Sequence, residues 1–229
     1  MKKILFFLLL VSLILNISLT NIFAQTSQTS AVLKMLQDSY FNRDYNSGYE
    51  SGKEMSVKYP ESIEIQSWTL INGSRSDSGK IAFEEAQRLF KEKGENKWTL
   101  LALAHTQIYQ APADSLATVE KLIKISPADE EVVFAYNSAL FQNKKYQESL
   151  DWLVKNESLV KDKSRLRTAQ AVTTYLLEKD KKDKGKVQLA FDIFDASIKL
   201  NPDSVNSNYL YGTYLTRETK RLCTISAEV

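Results

Sequence analysis

Residues Lys186 to Leu215 read KVQLAFDIFDASIKLNPDSVNSNYLYGTYL, and their spacing decides the fold. Val187, Ala190, Phe191, Phe194 and Ile198 recur at helical steps and share one face. Leu189, Ile193, Ala196 and Leu200 widen that stripe, so this helix must be covered on two sides. Asn201-Pro202-Asp203 ends it, because proline cannot continue the hydrogen-bond ladder and biases its predecessor away from the α region. Asp203 or Ser204 can cap a following helix, whose Tyr211-Gly212 pair and Leu215 form a second apolar face around a small residue. Two apolar helices joined by a proline turn make the joint between stacked helical hairpins.

Working outward, Pro60, Pro127 and Pro202 each close an apolar helix. Pro60 and Pro127 are 67 residues apart and Pro127 and Pro202 are 75 apart. The first interval is close to two periods of about 34 residues, and the second exceeds two periods by about seven. Those extra residues are visible at 179–185, KDKKDKG, a charged stretch without an apolar side chain. It reads as a solvated loop inserted between two helices.

On these residues the chain resembles the tetratricopeptide repeat (TPR) family. Ala190, Phe194, Ser197 and Pro202 match the family's second-helix pattern of Ala-x-x-x-Phe-x-x-Ala and a closing proline. Tyr146, Ser149 and Leu153 match it in the repeat begun by Tyr136, Asn137 and Leu140, while Tyr45, Gly48, Gly52, Met55 and Pro60 fill the slots of the first unit. The resemblance covers Ala31 to Leu215 and implies an all-α, right-handed solenoid of about five and a half helix–turn–helix units. The implied organisation is a TPR-like domain over 31–217, after a short polar linker at 25–30 and before an irregular tail at 218–229. That tail lacks an apolar stripe, so Tyr211 and Leu215 are expected to be partly uncovered and to favour self-association.

At the start, Lys2 and Lys3 precede an apolar run from Ile4 to Leu19 and an Ala24-Gln25 junction. This order describes an export signal over residues 1–24, cleaved after Ala24. The alternative is an uncleaved anchor, since the run approaches the ~20 residues that span a bilayer. The reading is therefore an exported protein, periplasmic or secreted. With Lys2 and Lys3 set aside, 28 basic residues face 28 acidic ones. That balance argues against nucleic acid or an anionic membrane as partner.

Motifs of catalysis are missing from the chain. It has no glycine-rich phosphate loop, no paired histidines and no nucleophile elbow, so neither an enzyme nor a cofactor or metal is implied. Carboxylate pairs such as Glu84-Glu85 read as solvated, and Asp129-Glu130-Glu131 as helix-start residues. Cys223, the sole cysteine, cannot close an internal disulfide and reads as a passive thiol.

The resemblance places the first helix of each unit on a concave surface. Carried over at the repeat spacing, the inward slots include Trp98, Leu101, His105, Tyr109, Phe134, Phe141 and Tyr209. Large rigid side chains on a groove suit a protein or peptide partner. Chaperone-binding members of the family clamp a C-terminal carboxylate with lysines, but the corresponding slots here hold Ser67, Leu101, Phe134, Thr168 and Tyr209. The implied role is an adaptor or scaffold of the cell envelope, or else a receptor for an extended peptide or glycan.

Overall fold

The computed structural model describes residues 28–179 and 184–227, and the expected signal sequence at 1–24 lies outside them. Among the described residues the fold is all helical. Helix α1 covers residues 28–41, followed by α2 (Tyr45–Lys58), α3 (Ile63–Gly73), α4 (Gly79–Lys93), α5 (Lys97–Gln110) and α6 (Pro112–Ile125). Then come α7 (Glu130–Gln142), α8 (Tyr146–Lys155), a 3-10 turn (Glu157–Leu159), α9 (Lys163–Glu178), α10 (Lys184–Leu200) and α11 (Val205–Ala227).

The three prolines occupy equivalent bends. Each lies in a four-residue loop between the second helix of one hairpin and the first helix of the next: 59–62, 126–129 and 201–204. In each loop the last residue's N–H donates to the first residue's carbonyl, at 3.0, 3.4 and 3.2 Å. That last residue then caps the following helix. Ser62 Oγ accepts from Ile65 N, Asp129 Oδ1 from Glu131 N, and Ser204 Oγ from Ser207 N.

The turns inside two hairpins also repeat. Arg43 and Lys144 both adopt positive φ, 63° and 59°, and each follows the same pattern of three backbone hydrogen bonds. This left-handed residue closes the first helix and lets the second fold back.

Glycines set the closeness of the first hairpin. A Cβ at Gly48 would lie 2.5 Å from Asn72 Oδ1 and 2.9 Å from Ser39 Cβ, while one at Gly52 would lie 2.8 Å from Thr69 Cγ2. Helix α2 therefore meets its neighbours backbone to side chain, and the small-residue slots read from the sequence are contact points.

First helices form the inner layer. Helices α3, α5 and α7 pack side by side, as do α9 and α11, with α2, α4, α6, α8 and α10 outside them. One core runs through Ile65, Trp68, Ile71, Leu101, Ala104 and Ile108, and a second joins Val172, Tyr175, Phe191, Phe194 and Tyr214. Between them, Val133, Phe134, Leu153, Val160 and Leu166 tie α7 and α8 to α9. Near the end of the chain the core is partly polar: Thr168 Oγ1 lies 2.7 Å from both Ser197 Oγ and Ser207 Oγ, joining α9, α10 and α11.

Three boundaries differ from the sequence reading. Residues 28–30, expected in the linker, begin α1. Lys184 and Gly185, expected in the loop, open α10. Residues 218–227, expected to be irregular, continue α11. A tertiary contact ties the start of this segment to α9: Tyr175 Oη donates to Glu218 Oε2 at 3.3 Å. Leu215 remains 44% exposed and Tyr209 52%, whereas Tyr211 packs half-buried against Phe191 and Phe194. Cys223 is exposed on the same helix.

Candidate functional site

The inner layer curls until its two ends meet. Arg43, in the α1–α2 turn, donates from Nη1 to Asn206 Oδ1 of α11 at 3.1 Å, across 163 residues of sequence. Its guanidinium also lies 3.9 Å from the centre of the Tyr209 ring. The concave groove is thereby closed on one side into a cup, with a cavity of about 580 Å³.

Several elements contribute to its wall. Helix α1 supplies Tyr40 and Phe41 from its last turn, the α3–α4 turn supplies Arg75, and α5 ends in Tyr109. Helix α7 adds Phe134, Ser138 and Phe141; α9 adds Arg165, Thr168 and Val172; α11 adds Asn206 and Tyr214. Aromatic rings and guanidinium groups therefore face one another across a space suited to a small group or a few side chains.

Arg165 is the anchored cation of the site. It makes a two-pronged pair with Glu131, Nη1 to Oε1 at 2.8 Å and Nη2 to Oε2 at 3.0 Å. The guanidinium also lies 3.7 Å from the Phe134 ring centre and 4.7 Å from that of Phe41. Burial weakens its charge, but Glu131 more than compensates and its pKa is raised. A planar guanidinium can use its faces for rings and its edge for a carboxylate at once.

His105 sits behind this wall. It is 3% exposed, touches the Tyr40 ring edge-on at 5.9 Å between centres, and its Nε2 has no hydrogen-bond partner. Burial pulls its pKa down to about 4; Glu131 opposes this, while Arg165 and Arg75 add to it. The imidazole is neutral at neutral pH.

The seven inward residues read from the sequence separate into groups. Tyr109, Phe134 and Phe141 line the cavity. Tyr209 lies at its rim beneath Arg43. Leu101 is wholly buried and His105 nearly so, because α1 lays Tyr40 and Phe41 across the inner face of the first hairpins. Trp98 stands in the first turn of α5, with Lys97 Nζ 4.1 Å from its ring centre. Roughly 16 Å of helix, at 1.5 Å of rise per residue, separates it from Tyr109, and it does not line the cavity.

Tyr40, Phe41, Arg75 and Arg165 were not marked by the repeat spacing. Arg75 lies in a turn and the α1 pair at a helix end, outside the inward slots of the register. Among the described residues no group of three His, Cys, Asp or Glu side chains could hold a metal ion, and no helix is long and apolar enough to cross a membrane.

No family model matches the sequence, and a search of curated proteins found no match. Solved structures do match. A thermophilic TPR protein from Thermus thermophilus, TTC0263, aligns with a TM-score of 0.64 at 14% identity, covering 82% of this chain and 98% of its own. A structure of MamA AMB-1 aligns at 0.50 with 16% identity, covering 71% of this chain and 98% of its own. With hairpins, proline loops and inner layer as described, the chain has the tetratricopeptide-repeat fold.

Proposed function

We propose that the protein is an exported protein–protein interaction module, an adaptor or scaffold of the cell envelope that holds a segment of its partner in the concave cavity. The observation that carries this reading is the cavity of about 580 Å³, walled by Tyr40, Phe41, Tyr109, Phe134 and Phe141 and bordered by arginines. Rigid rings beside guanidinium groups are the side chains that dominate partner recognition. A partner helix, about 10–12 Å across with its side chains, is broad for this space, whereas an extended segment inserting two or three side chains suits it. The apolar stretch in residues 4–19 and the Ala24-Gln25 junction support export.

A second reading, a receptor for a free peptide or glycan, is favoured by the closure itself. The Arg43 contacts with Asn206 and Tyr209 make a cup rather than an open trough. Affinity capture with the purified protein separates the two: a stoichiometric protein partner supports the adaptor, and its absence supports the receptor. Tyr109→Ala and Phe141→Ala test the cavity, with Trp98→Ala as a control outside it. Loss of partner binding in the first two alone, at unchanged helix content, is the expected result. Unchanged binding in both would overturn the assignment.

A further inference from the structure

Arg75 and Arg165 line the cavity and Arg43 lines a smaller one beside it, but the three are not equally neutralised. Arg165 has its carboxylate in Glu131. The Arg75 guanidinium instead lies among phenols, 4.7 Å from the ring centre of Tyr45 and 5.5 Å from that of Tyr109. Arg43 approaches the same Tyr45 ring at 5.9 Å, so one ring adjoins two cations. Among the described residues neither Arg43 nor Arg75 forms an ion pair with a carboxylate. The acids nearby are otherwise engaged or placed: Asp162 caps α9 by accepting from Arg165 N at 2.9 Å, Asp77 accepts from Asn46 at 3.0 Å, and Asp203 sits in the loop before α11.

A guanidinium withdrawn from water without a counter-ion is costly, and ring faces offset only part of that cost. Burial works against the charge of Arg75, yet Tyr40, Tyr109 and Tyr45 outweigh it and its pKa is raised, so it stays a cation. Ring faces engage the plane of the guanidinium and Tyr40 takes one hydrogen bond from its edge, which leaves the remaining N–H groups for a further acceptor. That edge belongs to a side chain lining both the main cavity and a second one of about 450 Å³ that adjoins it.

We infer that Arg75, with Arg43 beside it, forms an anion subsite that accepts the carboxylate of an aspartate or glutamate in an extended partner segment, while Tyr109, Phe134 and Phe141 receive the apolar side chains next to that acid. This rests on the reading of the cavity as the partner site, and it differs from a clamp on first-helix lysines because Arg75 lies in the α3–α4 turn. Charge complementarity selects the partner: the site offers two unmatched positive charges and the ligand brings the negative one.

The test is selection from a random heptapeptide library on the purified protein, followed by calorimetric titration of the selected peptides. Peptides carrying an acid beside aromatic or aliphatic residues should be enriched, and binding should weaken at least tenfold in Arg75→Gln. The same loss should follow when the peptide's acid is replaced by its amide, a measurement that does not depend on how the variant folds. Arg75→Lys should fall between, since it keeps the charge without the fork. Selected peptides that bind wild type and Arg75→Gln equally, or that tolerate the amide, would overturn the subsite and leave the cavity reading standing. Failure to select any peptide would overturn both.

Discussion

Lowering the pH should unfold this protein earlier than its carboxylates alone require, and His105 is the reason. Its imidazole is buried, its Nε2 is unpartnered, and burial holds its pKa near 4 against 6.5 for the free side chain. The folded-state value is depressed, so the unfolded chain takes up the proton first. Stability is therefore full above pH 6.5 and is lost as the pH falls from there through about 4. The complete loss is about 3 kcal/mol, of which about 2 kcal/mol should have appeared by pH 5. Urea unfolding at pH about 7.5 and about 5, in wild type and His105→Gln, isolates this contribution. Carboxylates contribute equally to both proteins, so only the difference between the two pH effects counts. Wild type should lose about 2 kcal/mol more than the variant. Equal losses would refute the placement of a neutral, desolvated imidazole behind the cavity wall.

Other consequences follow from the packing. Phe194 is fully buried between Phe191, Tyr211 and Tyr214, so Phe194→Ala should cost about 3–5 kcal/mol in chemical denaturation. Gly52→Ala drives a methyl into Thr69 and should destabilise by about 1–3 kcal/mol, whereas Gly212→Ala, with open space around it, should leave the midpoint unchanged or raise it. Glu131→Gln removes the carboxylate from a half-sheltered Arg165 and should cost about 1–3 kcal/mol, read by the same denaturation curves.

What the sequence discloses about this fold is chemistry confined to a few neighbouring residues. Pro60, Pro127 and Pro202 mark their loops because a missing N–H and a cap a residue or two further on act locally. Gly48 and Gly52 mark a close helix contact for the same reason. Helix α11 was legible only as far as its apolar stripe. Residues 218–227 continue the helix without a stripe of their own, and Glu218 at their start meets Tyr175, 43 positions away. The cup was beyond local reading. A period of about 34 residues says that hairpins stack, but not how sharply the stack curves. Curvature brings Arg43 to Asn206, lays Tyr40 over His105 and leaves Arg75 facing a cavity. Three of the seven residues chosen by spacing line that cavity, since spacing identifies the inner helices and cannot tell which inner positions α1 covers.

Closure of the inner layer is the claim on which the cavity depends, and electron–electron resonance between nitroxide labels on cysteines placed at Asn42 and Asn208, with the exposed Cys223 replaced by serine, measures it directly. Both positions are exposed and adjoin the pair Arg43 and Asn206, which meet at 3.1 Å. A single narrow distance no longer than the two label arms allow is the result this structure predicts. A long or broad distribution would mean an open solenoid without the cup, and the account of the cavity would not survive it.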